Sequence, residues 1–340
     1  MTVRVGINGF GRIGRNYLRA VLERAESGRD QVGLEVVAVN DIAPPATLAH
    51  LLEYDSTYGR LHRRVSFDHE SLTVDGHRIA VTAQRDPAAL DWSTGGTDVV
   101  IESTGRFRER EAAAVHLKNG ARKVLLSAPG KNADATIVMG VNDDTYDPAL
   151  HQVVSAASCT TNCVAPMVKI LHEQFGIERG LMTTIHGYTN DQALLDGPHK
   201  DLRRARSAAL SIIPTSTGAA RAVGMVLPEL DGVLDGIAVR VPVEDGSLTD
   251  LAVVLHRETS AEAVNDAFLT ASEGSLRGIL RVTGAPIVSR DVIGDPSSCI
   301  FDPALTLAHG PLVKVFGWYD NEWGYTQRLL DLTALVAKDL

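Results

Sequence analysis

The chain has 340 residues, 44% of them hydrophobic, so it is long enough for one to three domains with an ample core. A net charge of −9 argues against general affinity for nucleic acid or membrane surfaces. Three cysteines are too few for a disulfide framework or a four-ligand zinc site, and no apolar run approaches the ~20 residues of a transmembrane helix. The first residues enter a strand pattern directly, without a signal peptide, so we expect a soluble cytoplasmic protein.

A glycine-rich turn follows the first predicted strand. A β-branched run at residues 2–7 leads into Asn8-Gly-Phe-Gly-Arg-Ile-Gly14, and a helical pattern continues from Arg15 to about Glu26. Between a strand and a helix, a Gly-x-Gly-x-x-Gly segment allows a tight turn and close approach of a pyrophosphate, whose charge suits the helix N-terminus. The segment therefore predicts a dinucleotide site with the candidate contacts Gly9, Gly11, Arg12, Ile13 and Gly14.

The second predicted strand, residues 34–39, ends in Asn40-Asp41. Asp41 lies near the offset expected for a carboxylate that accepts hydrogen bonds from the ribose hydroxyls of a dinucleotide. Because a carboxylate there also repels a 2′-phosphate, we predict NAD rather than NADP as the cofactor. A plain turn or N-cap residue is the alternative interpretation of Asp41.

Two later strand patterns also end in polar turns. Residues 98–102 and 123–126 are predicted strands, and residues 109–118 form a helical pattern between them. Such alternation predicts a doubly wound parallel sheet, whose ligands bind at the carboxyl ends of its strands. The turns make Ser103, Thr104 and Ser127 candidate cofactor contacts, although all three could be ordinary turn formers.

A cysteine lies at the next boundary between a strand and a helix. Residues 155–163 read Ser-Ala-Ala-Ser-Cys-Thr-Thr-Asn-Cys and precede a helical pattern at residues 164–174. At the first turn of a helix, free N–H groups and the helix dipole lower a thiol pKa, and the same N–H groups can hold the oxygen of a tetrahedral intermediate. This context favours a nucleophilic Cys159 over a buried, inert cysteine.

Histidine 186 ends the strand pattern that follows, residues 180–185. Acyl chemistry on a thiol needs a base, and histidine suits that task near neutral pH, but spacing alone does not single out His186 among eleven histidines. Polar segments at residues 189–191, 199–206 and 215–218 suit phosphate, although the arginine cluster among them could be a solvated or inter-subunit face.

Two further strand patterns and a helix complete the second half. Residues 236–242 and 248–256 indicate a mixed or antiparallel sheet, and an amphipathic helix is predicted at residues 326–338.

Five colinear segments resemble phosphorylating glyceraldehyde-3-phosphate dehydrogenases of the bacterial type. They are Gly-Ile-Asn-Gly-Phe-Gly-Arg-Ile-Gly-Arg (6–15), Ala-Ser-Cys-Thr-Thr-Asn-Cys (157–163), Pro-His-Lys-Asp-Leu-Arg-Arg-Ala-Arg (198–206), Thr-Gly-Ala-Ala-Arg (217–221) and Trp-Tyr-Asp-Asn-Glu-Trp-Gly-Tyr (318–325). The resemblance implies an NAD-binding Rossmann domain at residues 1–157, to which a C-terminal helix at 323–340 returns. It also implies an α+β catalytic domain at residues 158–322 with a mixed or antiparallel sheet.

The resemblance also implies roles for particular residues. Cys159 would be the nucleophile, His186 its base, and Asn321 the residue that holds the nicotinamide carboxamide. The attacking phosphate would bind at Ser158, Thr160, Thr217 and Gly218. The substrate phosphate would bind at Thr189, Asp191, Arg204 and Arg240.

The implied reaction is the glycolytic oxidation of D-glyceraldehyde 3-phosphate by NAD with uptake of inorganic phosphate. It proceeds through a thiohemiacetal and a thioester on Cys159 and yields 1,3-bisphosphoglycerate. The family also implies a homotetramer, with a long loop inside residues 181–210 at an interface.

Three positions depart from the family pattern. Ala156 replaces the usual asparagine, Gly187 replaces alanine, and Gly197 replaces a bulkier apolar residue beside the adenosine ribose. The first two suggest the hypothesis of an isozyme that resists a thiol-reactive inhibitor, while Gly197 bears on how strictly NAD is preferred.

Alternative functions are erythrose-4-phosphate dehydrogenase, a cysteine acyltransferase or hydrolase that needs no cofactor, and a non-catalytic redox-sensing or binding protein on the same fold.

Overall fold

The computed structural model describes residues 2–29, 32–338 and 340, and the chain divides into two compact units. The first unit contains the glycine-rich turn, and the second contains Cys159. Their bounds are Met1–Ile137, Asp144–Ala157 and Thr326–Leu340 for the first unit, and Val138–Asp143 and Ser158–Tyr325 for the second.

A nine-stranded sheet forms the centre of the first unit. The strands of this unit are β1 (Val3–Asn8), β2 (Leu34–Asn40), β3 (Tyr54–Asp55), β4 (Gly59–Arg60), β5 (Val65–Phe67), β6 (Ser71–Val74), β7 (His77–Thr82), β8 (Val99–Glu102), β9 (Lys123–Leu126), β10 (Ala135–Thr136) and β11 (Val153–Ser155). Their order across the sheet is β10-β11-β9-β8-β1-β2-β7-β6-β5, and β3 pairs with β4. The pairs from β10 to β7 are all parallel, which confirms the predicted doubly wound sheet.

Strand order places a ligand crevice at the carboxyl end of β1. From β1 the chain adds β2 on one side of the sheet and later adds β8 on the other, so the connections leave in opposite directions. Open α/β sheets bind ligands at such a switch point. The strand ends that meet there are Asn8, Asn40 and Glu102, which pair in register across β1, β2 and β8.

The helices of the first unit differ from the predicted ones at their ends. They are α1 (Arg12–Glu26), α2 (Pro45–Glu53), α3 (Arg110–Ala113) and α4 (Val115–Lys118). Helix α1 begins three residues before the predicted start at Arg15, because Gly11 is its N-cap and the end of the glycine segment forms the first turn. The single helix predicted at residues 109–118 is two short helices that meet at Ala114.

The second unit is built on an eight-stranded mixed sheet, which confirms the predicted architecture. Its elements are α5 (Cys159–Phe175), β12 (Ile177–Gly187), β13 (Ile213–Ser216), α6 (Ala219–Val226), β14 (Leu234–Val241), β15 (Ser247–Leu255), α7 (Ala261–Glu273), β16 (Leu280–Val282), β17 (Cys299–Phe301), β18 (Leu307–His309) and β19 (Leu312–Tyr319). The sheet order is β13-β14-β12-β15-β19-β17-β16, with β18 beside β19. Helix α8 (Trp323–Ala337) follows, and from Thr326 onward it belongs to the first unit.

Helix α5 is fixed by the core of the second unit. It packs against β15, β17 and β19 through side chains with no solvent exposure, including Val164, Met167 and Leu171. Burial of each such side chain contributes about 1.5–3 kcal/mol. The helix begins at Cys159, five residues before the predicted pattern, because Ser158 Oγ caps it by accepting from Thr161 N–H. A rigid helix therefore presents Cys159 at its first residue.

Candidate active site

The glycine-rich turn leaves a cavity of about 220 Å³ in the first unit. Gly9 has a φ of +95°, and a Cβ there would lie 2.8 Å from Thr104 N. At Gly14, a Cβ would lie 2.4 Å from Gly9 O, so both positions require glycine. A Cβ at Gly11 would meet nothing within 4 Å, and Gly11 lines the cavity at the uncapped N-terminus of α1. The arrangement suits a pyrophosphate, which needs close backbone approach and a helix N-terminus.

Asp41 lies at the edge of the same cavity. Its carboxylate accepts hydrogen bonds from Phe10 N–H at 2.8 Å and from Ala43 N–H at 2.9 Å. These bonds fix the carboxylate relative to the glycine-rich turn and leave lone pairs for other donors. Two ribose hydroxyls can donate hydrogen bonds to these remaining lone pairs. The described residues therefore fit the predicted dinucleotide.

The other predicted cofactor contacts of the first unit divide into two groups. Ser103 and Thr104 line the cavity with Gly9, and Ser103 Oγ supports the turn by donating to Gly9 O at 2.7 Å. Arg12 forms an ion pair with Asp55, Ile13 is half-buried in the first turn of α1, and Ser127 follows the end of β9. In the described structure, the cavity lining does not include these last three residues.

A buried polar network beneath the turn was missed from the sequence. Trp92 Nε1 donates to His116 Nδ1 at 3.0 Å, so the ring proton of His116 is on Nε2 and faces Glu102 Oε2 at 3.0 Å. Asn8 Nδ2 also donates to Glu102 Oε2, at 2.6 Å, and Thr104 N–H donates to Oε1 at 2.9 Å. The network holds the ends of β1 and β8 together. Its only signal in the sequence was a polar residue at the end of each of two apolar strands.

In the second unit, strand register brings His186 and Arg240 together. Strands β12 and β14 are parallel and pair His186 with Arg240, so the two side chains lie beside each other. Cys159 Sγ is 3.5 Å from His186 Nε2. Cys159 is partly exposed, whereas His186 is 5% exposed. The arrangement is a reachable thiol with an imidazole held beside it.

Burial and Arg240 determine the protonation state of the His186 imidazole. Arg240 Nη1 lies 2.7 Å from His186 Nδ1 and donates to Gly187 O at 3.1 Å. A guanidinium can only donate, so Nδ1 accepts and the ring proton is on Nε2. Burial and then the charge of Arg240 lower the pKa of His186 to about 3. Burial raises the pKa of the Cys159 thiol to about 11, against the opposing effects of Arg240 and Thr160 N–H. The expectation that the helix start lowers the thiol pKa was wrong for this structure, because burial outweighs the N–H groups and Arg240, and thiol and imidazole are both neutral near pH 7.

Two helix N-termini meet beside Cys159. Thr161 Oγ1 donates to Ala219 O at 3.5 Å, which joins the start of α5 to the start of α6. Ser158 is the N-cap of α5, and Gly218, the N-cap of α6, has open space where a Cβ would be. Thr217 Oγ1 accepts from Ala219 N–H at 3.2 Å. Three predicted phosphate contacts are thus brought together, whereas the hydroxyl of the fourth, Thr160, is bonded to Tyr319 OH at 2.9 Å.

A second polar cluster surrounds Arg204. Its guanidinium forms an ion pair with Asp191 and donates to Thr215 Oγ1 at 2.8 Å, while Thr189 Oγ1 donates to Asp191. Burial opposes the ionised form of Asp191, but the hydrogen bonds and the two arginines hold its pKa below the usual value. The Nε of Arg240 is buried and has no hydrogen-bond partner among the described residues. An unsatisfied guanidinium nitrogen at this position fits an anionic ligand.

Sequence comparison assigns the chain that carries these two sites to a family. Residues 3–110 match the family domain described as glyceraldehyde 3-phosphate dehydrogenase, NAD binding domain, and residues 158–321 match the C-terminal domain of the same family. The chain belongs to the glyceraldehyde-3-phosphate dehydrogenase family. NAD is accordingly the cofactor of this dehydrogenase.

Curated relatives of the dehydrogenase match along its whole length. Glyceraldehyde-3-phosphate dehydrogenase 2 of Streptomyces avermitilis is 58% identical and the enzyme of Streptomyces coelicolor is 59% identical, each over all of both chains. The enzyme of Geobacillus stearothermophilus is 57% identical over 99% of each chain. The dehydrogenase therefore has the length and domain content of these relatives.

Tyr319 is a further site residue of the dehydrogenase that sequence reasoning did not assign. Its OH bridges Thr160 Oγ1 at 2.9 Å and Thr184 Oγ1 at 2.8 Å, and its ring lies edge-on to His186 with centroids 6.0 Å apart. Burial raises the pKa of Tyr319, which keeps the hydroxyl protonated. Tyr319 thus joins the start of α5 to β12. Its place in the Trp318–Tyr325 segment was the available signal.

The three departures from the family pattern have different surroundings in the dehydrogenase. Ala156 is 3% exposed and donates its N–H to Leu126 O at 3.0 Å in the first unit. A Cβ at Gly187 would lie 3.1 Å from Val243 O, so an alanine would require the 243–245 turn to yield slightly. A Cβ at Gly197 would find its nearest neighbour, Leu195 O, at 3.6 Å. The hypothesis of inhibitor resistance stays a prediction.

Proposed function

We propose that the chain is an NAD-dependent phosphorylating dehydrogenase of D-glyceraldehyde 3-phosphate that forms 1,3-bisphosphoglycerate in glycolysis. The observation that carries this proposal is Cys159 at the start of α5, 3.5 Å from His186 Nε2 and within the field of Arg240. We assign residues 1–157 and the returning helix 323–340 to cofactor binding and residues 158–322 to catalysis, and the two compact units support this division.

The first step of the proposed reaction is attack by Cys159. His186 Nε2 first takes the thiol proton, the resulting thiolate adds to the aldehyde carbon, and the proton passes to the new oxygen to complete a thiohemiacetal, whose oxygen is held by N–H groups at the start of α5. His186 then takes the hydroxyl proton of the thiohemiacetal, and bound NAD supplies a hydride acceptor for the carbon. Asn321 is proposed to hold the nicotinamide carboxamide. Its Oδ1 accepts from Ser247 Oγ at 2.6 Å, which fixes the orientation of its amide.

We assign Arg240 a part in making His186 a base. A substrate phosphate is a stronger acceptor for the guanidinium than the Nδ1 lone pair, because that hydrogen bond is charge-assisted. When Arg240 turns to the phosphate, Nδ1 can carry the ring proton and donate it to Gly187 O, already 2.7 Å away. The lone pair on Nε2 then faces Cys159 and the substrate. Binding of the phosphorylated aldehyde thus prepares the base.

The last step is attack by inorganic phosphate on the Cys159 thioester. We place that phosphate at the meeting N-termini of α5 and α6, beside Ser158, Thr217 and Gly218, with Thr160 contributing through the same helix start. The substrate phosphate is placed at the Arg204 cluster. Arg204 and Arg240 supply positive charge there, and Thr189 and Asp191 orient Arg204.

Replacement of Arg240 by leucine should raise the KM for glyceraldehyde 3-phosphate by about 10- to 150-fold, the value of a lost hydrogen bond to a charged group. The KM for NAD should change little, because the cofactor cavity is in the first unit. Steady-state kinetics with varied aldehyde and varied NAD measures both. Unphosphorylated glyceraldehyde is the control, and an equal loss of rate with it would indicate general damage to the site.

Replacement of Asp41 should narrow the preference for NAD over NADP by at least about tenfold, since ribose hydroxyls lose a charged acceptor and a 2′-phosphate loses a repelling charge. Asp41→Asn removes only the charge and keeps an oxygen for Phe10 N–H, whereas Asp41→Ala removes both. The ratio of kcat/KM for the two cofactors is the measurement. Glu35→Ala, on the strand that ends just before Asp41, is the matched control. If the ratio were unchanged in both Asp41 variants, Asp41 would not determine the preference for NAD over NADP.

Exposed apolar side chains of the second unit support the proposal of a homotetramer. Large apolar side chains are exposed there by 68–81%, namely Leu181, Leu194, Leu195, Leu202, Leu210 and Ile212. Large apolar side chains exposed in this number favour protein contacts. We propose that a long loop inside residues 181–210 packs between subunits and that the enzyme is cytoplasmic. No helix within residues 2–29 and 32–338 is long and apolar enough to cross a membrane. Light scattering coupled to size exclusion measures the subunit number.

The proposed substrate is tested by rates of NADH formation with glyceraldehyde 3-phosphate and with erythrose 4-phosphate, each with and without inorganic phosphate. We expect a strong preference for the first aldehyde and a requirement for phosphate. Faster turnover with erythrose 4-phosphate would reverse the assignment of substrate. Failure to bind NAD would instead favour a cofactor-independent cysteine enzyme.

A further inference from the structure

A chain of buried hydrogen bonds runs beneath the cofactor cavity of the first unit, and Trp92 fixes its direction at one end. The indole Nε1 can only donate, and it lies 3.0 Å from His116 Nδ1. Nδ1 therefore accepts, and the neutral ring donates its Nε2 proton to Glu102 Oε2 at 3.0 Å. The three side chains are at most 3% exposed. His116 thus reaches Glu102 only as a donor.

The backbone N–H of Gln84 fixes the direction at the other end of the chain. It donates to Asn40 Oδ1 at 2.8 Å, so the amide nitrogen of Asn40 donates to Asn8 Oδ1, also at 2.8 Å. The amide nitrogen of Asn8 then donates to Glu102 Oε2 at 2.6 Å. Its contact of 3.5 Å with His116 Nε2 is between two donors that converge on the same oxygen. Reversal of either amide would place an NH2 group against another donor.

The second oxygen of Glu102 also receives donors. Oε1 accepts from Thr104 N–H at 2.9 Å and from Thr104 Oγ1 at 2.5 Å. The same hydroxyl oxygen accepts from Arg106 N–H at 3.1 Å, so its own proton is available for Glu102. In the described part of the chain, the carboxyl group therefore meets four donors, which favours its ionised form. Glutamine cannot reproduce this arrangement, because its NH2 group would face a donor in either orientation of the amide.

Glu102 supports the cofactor cavity from behind the surface of that cavity. The described lining includes Asn8, Gly9 and Thr104, whereas Glu102 and His116 lie outside it. Through its bond to Thr104, Glu102 holds a backbone N–H whose nitrogen is only 2.8 Å from the place that a Cβ at Gly9 would take. Displacement of Thr104 would therefore change the space at Gly9 that a pyrophosphate needs.

We propose that Glu102 and His116 are positioning residues for NAD. The carboxylate of Glu102 fixes the turn at residues 103–104 against Gly9, and His116 orients that carboxylate because Trp92 sets the tautomer of its ring. The use of this cavity by NAD rests on the proposed function. Since the aldehyde site is assigned to the second unit, the two residues affect cofactor affinity and not aldehyde binding.

Glu102→Gln tests this role through the Kd for NAD, measured by calorimetry. We expect the Kd to rise at least about tenfold, the lower end of the effect of a lost hydrogen bond to a charged group. Steady-state kinetics should show a raised KM for NAD and a nearly unchanged KM for glyceraldehyde 3-phosphate. Glu70→Gln, which removes an exposed carboxylate of the same unit, is the matched control and should bind NAD like the parent protein.

His116→Phe is a second variant that keeps the carboxylate and removes one of its four donors. We expect a rise in the Kd for NAD of about three- to tenfold, within the usual range for one hydrogen bond. This variant also decides the question if Glu102→Gln does not fold, and thermal unfolding establishes which variants are folded.

The direction of the hydrogen bonds is tested on the unaltered protein by nitrogen-15 NMR of the histidine rings. The ring of His116, assigned through its proximity to the indole proton of Trp92, should carry a proton on Nε2 alone. A proton on Nδ1, or on both ring nitrogens, would overturn the proposal without any measurement of NAD.

The outcomes separate this proposal from the proposed function. A parent protein that bound no NAD would contradict the proposed function and, with it, the role of Glu102 in cofactor binding. If the parent bound NAD and the folded variants bound it with the same Kd, Glu102 and His116 would be structural residues only, and this proposal alone would be overturned. An equal rise in the KM for the aldehyde would also overturn it, because that result indicates general damage.

Discussion

Replacement of Cys159 by serine is expected to reduce NADH formation from glyceraldehyde 3-phosphate by a factor on the order of 10⁴ to 10⁶, the usual effect of removing a catalytic nucleophile. A serine hydroxyl at the start of α5 is far harder to ionise than a thiol, so neither a hemiacetal nor an ester would form at a useful rate. NAD affinity should be nearly unchanged, because the cofactor cavity is in the first unit. Steady-state rates and NAD titration measure the two effects.

Cys163→Ser is the matched control for that substitution. Cys163 lies one helical turn after Cys159 on the same helix but has no solvent exposure, and its Sγ donates to Gly317 O at 3.6 Å. A serine can make the same hydrogen bond, so the control should retain activity within a few fold. If Cys159→Ser retained more than a few per cent of activity, Cys159 would not be the nucleophile.

Replacement of His186 by asparagine should lower kcat by about 10²- to 10⁴-fold, the usual contribution of a positioned base. Asparagine cannot accept the hydroxyl proton of the thiohemiacetal, although its amide can still donate hydrogen bonds. The substitution should lower kcat and change the KM for the aldehyde little, because Arg204 and Arg240 remain to bind the substrate phosphate. Initial rates over a range of aldehyde concentrations separate the two constants.

His309→Asn is the corresponding control, since His309 is an exposed residue of β18 in the same unit. Its kcat should equal that of the parent protein. A His186 variant with an unchanged kcat would show that another group takes the proton.

Local features of the fold and site were predictable from the sequence because a few neighbouring residues determine them. The glycine-rich turn requires glycine at Gly9 and Gly14 for steric reasons, and Gly11 lines the cavity at the start of α1. Cys159 follows a serine that caps the helix, so its place at the start of α5 is a matter of local geometry. The alternation of strands and helices likewise indicated the parallel sheet of the first unit.

Features that depend on strand register were not predictable from pattern. His186 and Arg240 are 54 residues apart in sequence and meet only because β12 and β14 pair in one particular register. Tyr319 reaches Thr160 and Thr184 across 159 and 135 residues. Before the register of the strands is known, such side chains look like ordinary core residues.

Buried polar groups were the other feature that the sequence did not reveal. Glu102 ends a predicted strand and His116 lies in a predicted helix, and nothing in the sequence pairs them, yet they are buried and hydrogen-bonded to each other in the structure. The hydrogen-bond partners of such buried polar groups are distant in sequence, so only the folded structure identifies them.

The central claim, a thioester on Cys159 that is resolved by inorganic phosphate, is tested most directly by mixing the enzyme with glyceraldehyde 3-phosphate and NAD in the absence of phosphate. We predict a rapid burst of one NADH per subunit followed by slow turnover, with mass spectrometry locating the acyl group on Cys159. Added phosphate should then release the acyl group and restore rapid turnover. Fast, sustained NADH formation without phosphate, or a burst without an acyl group on Cys159, would contradict the mechanism.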